Sequence, residues 1–201
     1  MTTPPRRTQA DRRARSRDAL LEAAARGLSR HGYAELSLAE VAREAGYTRG
    51  ALYHQFAGKE ELALAVVAWV EKTWNDEVRA LGERAADPVG ALLAVARGHA
   101  VYCRRDVAGV MMTLGIEFAG RDHPVGKALG RIFERLEREC AERVERARAT
   151  GAIPEGPPAR VIAAAYLGAL QGVAMELAGQ APHDEVLAER AVRGVLGLPP
   201  V

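Results

Sequence analysis

Leu36-Ser-Leu-Ala-Glu-Val-Ala-Arg-Glu-Ala-Gly-Tyr-Thr-Arg-Gly-Ala-Leu-Tyr-His-Gln-Phe-Ala-Gly-Lys-Glu-Glu-Leu62 is the stretch that decides the fold. Ser37-Leu-Ala-Glu40 reads as a capping box, in which the Ser37 hydroxyl serves the first free amides and Glu40 reaches back to the cap. It opens a short helix that ends at Gly46 and buries Leu38, Val41 and Ala42. Thr48 is placed to cap a second short helix, Arg49 to Phe56, whose Ala51, Leu52 and Phe56 recur at helical spacing. Two short helices joined by a glycine-containing turn make a helix-turn-helix.

Working outward, apolar residues recur at helical spacing almost everywhere and never alternate over a sustained run, so the expected fold class is all-α, with about nine helices. Upstream, a helix is expected over Arg15–Arg30, with Leu20, Ala24, Gly27 and Leu28 as its stripe and Gly32 as its terminator. Downstream, Gly58-Lys-Glu-Glu61 opens a long helix to about Gly82 that buries Leu62, Val66, Trp69, Val70, Thr73 and Trp74. Proline and aspartate starts with glycine stops then mark Pro88–Arg104, Asp106–Ala119, His123–Ala149, Pro158–Ala178 and Asp184–Leu196. The expected organisation is a basic, flexible arm over 1–14, a helix-turn-helix head over 15–60 and a helical body over 61–201.

Composition narrows the class further. A chain of 201 residues that is 48% hydrophobic and 27% charged has enough apolar side chains for a substantial core and is not intrinsically disordered. The net charge is only +2, but it is unevenly spread: residues 1–60 hold eleven Lys and Arg against seven Asp and Glu, which leaves the rest at two net negative charges. A basic end suits contact with a polyanion. Six arginines and no long apolar stretch in the first twenty residues argue against a signal peptide, and cytoplasmic location is expected. The longest charge-free run, Val161–Met175, is 15 residues and short of a membrane span.

Val41-Ala42, Ala45-Gly46, Thr48, Gly50, Leu52-Tyr53, Phe56 and Lys59-Glu60-Glu61-Leu62, in this order and spacing, resemble the DNA-binding head of the tetracycline-repressor-like (TetR) family of bacterial transcription regulators. The upstream helix ending in His31-Gly32-Tyr33 fits too, so the resemblance covers roughly residues 15–62 by motif; the body matches in size and helicity. The resemblance implies that Thr48, Tyr53, His54 and Lys59 touch the DNA backbone, while Tyr47, Arg49 and Gly50 face the bases.

Read on their own, these residues have the right chemistry. A recognition helix needs short or flexible polar groups at its N-terminal end, where base edges lie, and phosphate donors around them. Thr48, Arg49 and Gly50 meet the first need, and Tyr53, His54 and Lys59 the second. Arg49 can pair with two guanine acceptors at once. Gly50, unfavourable in a helix by about 1 kcal/mol relative to Ala, suits a backbone that approaches DNA closely. Each has a bland reading in isolation, a half-buried aromatic for Tyr53 or a solvated charge for Arg49 and Lys59; the ordered set points to DNA.

A single head reads few base pairs, so a homodimer on a two-fold operator in double-stranded DNA is expected. The resemblance puts the dimer interface on the last two long helices. On the first of them Ala164, Gly168 and Gly172 permit close approach, flanked by Ile162, Tyr166, Ala169, Val173 and Leu177. Packing of the same face within one chain is the competing reading. The resemblance also implies a body pocket for a small-molecule effector. Its candidates are Trp69, Trp74, Tyr102, Met111, Met112, Phe118 and Phe133, with His99, Glu117 and Gln171 as polar contacts, each of which core packing would equally explain.

Cys140 falls on an apolar stripe and reads as an inert thiol, while Cys103, beside Arg104 and Arg105, reads as the more reactive one. The five histidines are scattered without paired spacing, and no phosphate loop or nucleophile motif occurs, so neither a metal, a cofactor nor catalysis is expected. The expected function is a ligand-responsive transcriptional regulator, a repressor released by its effector. The alternative is an all-helical small-molecule-binding protein or enzyme with a vestigial head, whose DNA binding would be weak, salt-sensitive and indifferent to sequence.

Overall fold

Ten α-helices and one π turn make up the secondary structure of the computed structural model, which describes residues 9–199. They are α1 (Gln9–His31), α2 (Leu38–Glu44), α3 (Arg49–Tyr53), α4 (Lys59–Trp74), a π turn (Asn75–Arg79), α5 (Ala80–Glu83), α6 (Pro88–Tyr102), α7 (Val110–Glu117), α8 (Pro124–Ala149), α9 (Ala159–Leu177) and α10 (His183–Val195). The α4, π and α5 segments follow without a break, so the described residues form nine helical runs and no strand, as the apolar spacing led one to expect.

The chain forms two compact units that exchange a segment. The first holds the described residues through Val70 together with Gly109–Ala128; the second holds Glu71–Ala108 and Leu129–Val201, of which the last two residues lie outside the described part. The contiguous head and body expected from sequence therefore differ from the compact units: α7 and the first turn of α8 return to the first unit.

In the first unit α1 packs against α2 and α7, and α2 against α3. Leu20, Leu28, Leu36, Val41, Leu52, Phe56, Leu62, Val66, Val110 and Leu114 are buried there. The turn between α2 and α3 has a clear local cause. Ser37 Oγ accepts from Glu40 N–H at 3.3 Å and starts α2. The reciprocal half of the capping box is replaced: the Glu40 carboxylate lies 3.9 Å from Arg43. At the other end Tyr47 N–H donates to Ala42 C=O (2.8 Å) and Gly46 N–H to Arg43 C=O (3.1 Å), with Gly46 at φ +77°. That Schellman-type ending needs a left-handed residue, which glycine adopts without steric penalty. Thr48 Oγ1 then accepts from Ala51 N–H at 3.2 Å and starts α3.

The second unit has a separate core of Leu92, Leu93, Ala96, Cys140, Val144, Ile153, Ala163, Tyr166, Leu170, Val192 and Leu196, where α6 packs against α10, α9 and the π turn. Asp87 caps α6 by accepting from Gly90 N–H (2.8 Å), with Pro88 at the first helical position. Asp184, buried at the start of α10, accepts both arms of the Arg104 guanidinium at 2.9 Å, and that pairing holds its carboxyl below the usual carboxylate range.

Three expectations need correction. The flexible arm over 1–14 is helical from Gln9; Arg6 and Arg7 lie outside the described residues. The helix expected over Asp106–Ala119 starts at Val110, after turns over the preceding residues. Finally, α9 is long and apolar enough to cross a membrane by length and composition, with mean hydropathy 1.2 and only 17% of that stretch buried. Counting uninterrupted apolar residues stopped short of this, because Arg160 and Glu176 sit at the two ends of the helix.

Candidate functional site

The residues around α3 divide cleanly by burial. Leu52 and Phe56 are buried, whereas Tyr47, Thr48, Arg49, Gly50, Tyr53 and His54 are all exposed; Tyr47 and Tyr53 retain 37% and 43% of their surface. Two large aromatics left in water within seven residues, one in the turn and one on α3, need a reason beyond packing. Arg49 donates to the Tyr53 hydroxyl at 3.3 Å and lies 5.5 Å from its ring centroid, one helical turn away. The pair forms a donor-rich surface along α3, from its first residue to its last. At Gly50 the nearest atom a Cβ would meet is Thr48 Oγ1 at 3.8 Å. Nothing inside the protein excludes a side chain there, so the glycine is free to serve close approach from outside.

Lys59 behaves differently. Its ammonium donates to Ala34 C=O at 2.7 Å and sits 5.0 Å over the Tyr33 ring, tying the start of α4 to the connector before α2. Of its three N–H groups, two remain for another partner.

The arginines of the arm, Arg13 among them, are candidates to reach phosphates or a minor groove, and the structure adds Arg15, Ser16 and Gln55 beside them. Arg13, Arg15 and Ser16 on α1 share an open recess of about 710 Å³ with Tyr47, Ala51, His54 and Gln55. Gln55 Nε2 donates to Ser16 Oγ (2.7 Å), Arg17 donates to Gln55 C=O (3.4 Å), and the Arg17 guanidinium lies 4.5 Å over the Phe56 ring. These contacts hold the end of the recognition segment to α1, and the recess presents Arg13, Arg15 and His54 together, a setting that favours an anion. No spacing rule pairs residues 39 apart in the chain, so sequence gave no signal for the Ser16 contact.

The ten residues expected to line a pocket are divided between the two units, five in each. In the first unit Glu117 accepts from Tyr33 N–H (2.5 Å) and Ala34 N–H (2.8 Å), and Phe118 meets Tyr33 edge-on and stacks on His123 at 4.4 Å. Glu117 thus satisfies two free backbone donors beyond Gly32, itself at φ +74°, so the effector contact expected of it is corrected to a structural one. Trp69, Met111 and Met112 are half-buried in that unit. In the second unit Trp74 Nε1 donates to His99 Nδ1 (3.1 Å), and Thr73 Oγ1 and the Tyr102 hydroxyl lie 2.8 Å apart. Phe133 and Gln171 are half-buried there.

A cavity of about 40 Å³ in the second unit is lined by Trp74 and Arg79 at either end of the π turn, Leu92 and Val95 of α6, Leu136, Glu139, Cys140 and Arg143 of α8, and Tyr166, Leu167 and Leu170 of α9. Of the expected pocket set only Trp74 is among them. Tyr166, expected at the dimer interface, is buried and donates its hydroxyl to Leu92 C=O at 2.6 Å, so it belongs to the core. Ile162 and Ala169 also pack against that core. The exposed face of α9 runs instead through Val161, Ala164, Ala165, Gly168, Gly172 and Met175, beside exposed Val186 and Leu187 on α10.

Cys103 is not the reactive thiol expected. Arg104 turns to Asp184 and Glu185, and Arg105 to Glu77, so neither supports a thiolate. Cys103 Sγ lies 3.5 Å from His99 Nε2, and burial pushes the thiol up to about 12. Burial likewise raises Cys140 to about 12 and lowers His99 to about 4.

The described residues are thus all-helical, and their helix-turn-helix leaves Tyr47, Arg49, Tyr53 and His54 in water. Residues 20–66 match the model for bacterial regulatory proteins of the tetR family. Over residues 20–66 the head of this chain is therefore similar to the DNA-binding segment of that family. The HTH-type transcriptional regulator CymR of Pseudomonas putida is 40% identical over 78 residues, 39% of this chain and 38% of CymR. The A-factor receptor protein of Streptomyces griseus is 30% identical over 118 residues, 59% of this chain and 42% of the receptor. The matches thus span less than half the length of these curated relatives. Among solved structures, AibR in complex with isovaleryl coenzyme A and operator DNA has the same fold, with TM-score 0.76, 23% identity and coverage of 92% of this chain and 100% of that one. A TetR-family regulator from Agrobacterium tumefaciens has TM-score 0.78 at 21% identity, covering 94% of this chain and 100% of that one.

Proposed function

We propose that this protein is a cytoplasmic, non-enzymatic transcription regulator: a homodimer that holds an inverted-repeat operator and leaves it when a small-molecule effector binds. The observation that carries the reading is the exposed face Tyr47-Thr48-Arg49-Gly50 with Tyr53 and His54, set on a buried Leu52 and Phe56. In this reading the 15–60 segment is the DNA-binding domain and 61–201 the effector and dimerisation domain. Arg49 reads a base edge, flanked by Tyr47 and Gly50; Thr48, Tyr53, His54 and Lys59 position the phosphate backbone. Arg13 and Arg15, beside His54 in the open recess, extend the phosphate-facing surface onto α1.

The exposed apolar face of α9 and α10 supports the dimer. A second copy of that face buries it, and the glycines at 168 and 172, open on all sides, allow close helix approach. AibR shares the fold and is known with both isovaleryl coenzyme A and operator DNA, and the reading carries those partner classes, small molecule and operator, to this chain. Release requires only that the effector bind more tightly to the arrangement that fits DNA poorly. α4 is the element assigned to transmit it, since its residues belong in turn to both units.

The test is selection of genomic fragments by the purified protein at physiological salt, with footprinting of what is retained. An enriched inverted repeat supports the reading. Weak, salt-sensitive retention without sequence preference overturns it in favour of a small-molecule-binding protein with a vestigial head. Sedimentation checks the dimer: Gly168→Arg yields a monomer if this face is the interface, and an unchanged oligomeric state discards the assignment.

A further inference from the structure

The cavity beside the π turn has a chemistry that the sequence did not announce. Its floor is apolar, with Leu92, Cys140, Tyr166 and Leu170 buried. Tyr166 shows it only a ring, because its hydroxyl is already bound to Leu92 C=O. The charges at the edge are unequal: Arg79 and Arg143 against Glu139. Glu139 and Arg79 pair at 3.0 Å, and Arg79 also meets Glu83 at 3.1 Å, so that guanidinium is saturated with carboxylate. Arg143 has no carboxylate partner among the described residues; its hydrogen bond goes to the backbone carbonyl of Glu139 at 3.2 Å. Arg143 is thus a guanidinium without a carboxylate contact beside a small apolar hollow, and such a fork matches a carboxylate geometrically.

The backbone at the edge points the same way. A π turn interrupts the hydrogen-bond ladder of an otherwise regular helix, and such interruptions cluster at functional sites. Here its two ends place Trp74 and Arg79 on the cavity. Size restricts the occupant. One water occupies roughly 10 to 15 Å³ on this measure, and a hollow near 150 Å³ admits benzene. A volume of about 40 Å³ excludes an aromatic ring and admits the end of a short aliphatic chain.

We propose that this cavity, between the π turn, α6, α8 and α9, takes the tail of a short aliphatic carboxylate whose head group pairs with Arg143. The proposal rests on the effector reading above and names the chemical class of the effector. A carboxylate at Arg143 gains a charge-assisted pair, while a neutral amide of the same length gains a weaker one.

The test uses the full-length protein with Trp69→Phe, so that Trp74 alone reports. Butyrate, hexanoate, butyramide and butanol are titrated against its emission and against the thermal midpoint. Butyrate or hexanoate should act saturably, with butyramide and butanol at least tenfold weaker, and Arg143→Gln should abolish the preference while Arg143→Lys, which keeps the charge and loses the fork, reduces it. An unchanged preference in Arg143→Gln, an equal response to butyramide, or no saturable response to either acid overturns the proposal. Should Arg143→Gln fold poorly, Arg143→Met, which keeps the aliphatic stem and removes the charge, decides in the same way: a preference that survives in it overturns the proposal. Release of operator DNA is followed separately. Saturable acid binding that leaves the DNA complex intact keeps the cavity chemistry and defeats the ligand-released reading. Release by the amide as readily as by the acid keeps the reading and defeats the acid.

Discussion

The recognition face and the body cavity are built on opposite principles. Six of the seven DNA-facing candidates lie between Tyr47 and His54, on one short helix and its cap, so their order along the chain is their order in space. The cavity collects residues from 74 to 170, from α4, the π turn, α6, α8 and α9, and none of its neighbours across the hollow is a neighbour in sequence. Local spacing determines the first arrangement and tertiary packing the second. The two regions should therefore respond differently to mutation: side chains on the face affect binding and leave stability nearly intact, whereas side chains of the cavity affect stability first.

Tyr166 provides the largest contrast. Replacing this buried aromatic by Ala should cost about 3 to 5 kcal/mol of stability, as for other large core residues, measured by urea unfolding. Tyr166→Phe, which leaves Leu92 C=O without its donor, should cost about 1 kcal/mol. The comparison fails if Tyr166→Ala is as mild as Val161→Ala, because Tyr166 would then belong with the exposed face of α9.

His99 sharpens the same contrast through pH. Burial lowers it from 6.5 to about 4, so between those values the unfolded chain binds a proton that the folded chain refuses. Its contribution is complete above pH 6.5, declines as pH falls and stops declining near pH 4; the whole effect is about 3 kcal/mol. Unfolding midpoints of wild type and His99→Gln across that range isolate it. Parallel pH profiles would remove His99 as the cause.

What was legible follows from where each interaction lives. The caps at Ser37 and Thr48, the glycine stop at Gly46 and the buried Leu52 and Phe56 are set within a few residues, and all could be read from the chain. Tyr166 was assigned to the wrong face because the apolar spacing of α9 runs nearly all the way round, which leaves period alone unable to choose a side. Glu117 looked like a pocket residue for a different reason. Its partners, the amides of Tyr33 and Ala34, are 84 and 83 positions away, and no local rule pairs them. The reactivity expected of Cys103 failed likewise, since its adjacent arginines are held by Asp184, Glu185 and Glu77.

On the recognition face the effects should be smaller and, the capping residue Thr48 apart, should appear only in binding. Arg49→Ala should weaken operator binding by about 1 to 3 kcal/mol, concentrated at one base position, while Tyr53→Ala should weaken all sequences alike. Binding to an operator and to its single-base variants separates the two. The site assignment is wrong if both variants bind like wild type, and the division of roles is wrong if Arg49→Ala weakens every sequence equally.

Thr48 allows the finest cut, because it is both a cap and a candidate phosphate donor. Its Oγ1 accepts from Ala51 N–H, and Ser37 Oγ does the same for Glu40 N–H one helix earlier, so each Ala substitution should cost about 1 kcal/mol of stability. Only Thr48 has a proposed DNA contact, its O–H remaining free to donate while its lone pair caps the helix. Operator affinity, measured where all variants are fully folded, should fall in Thr48→Ala, stay near wild type in Ser37→Ala and return in Thr48→Ser. If Ser37→Ala weakens binding as much as Thr48→Ala, the hydroxyl of Thr48 acts on DNA only by starting α3, and the backbone contact passes to its neighbours.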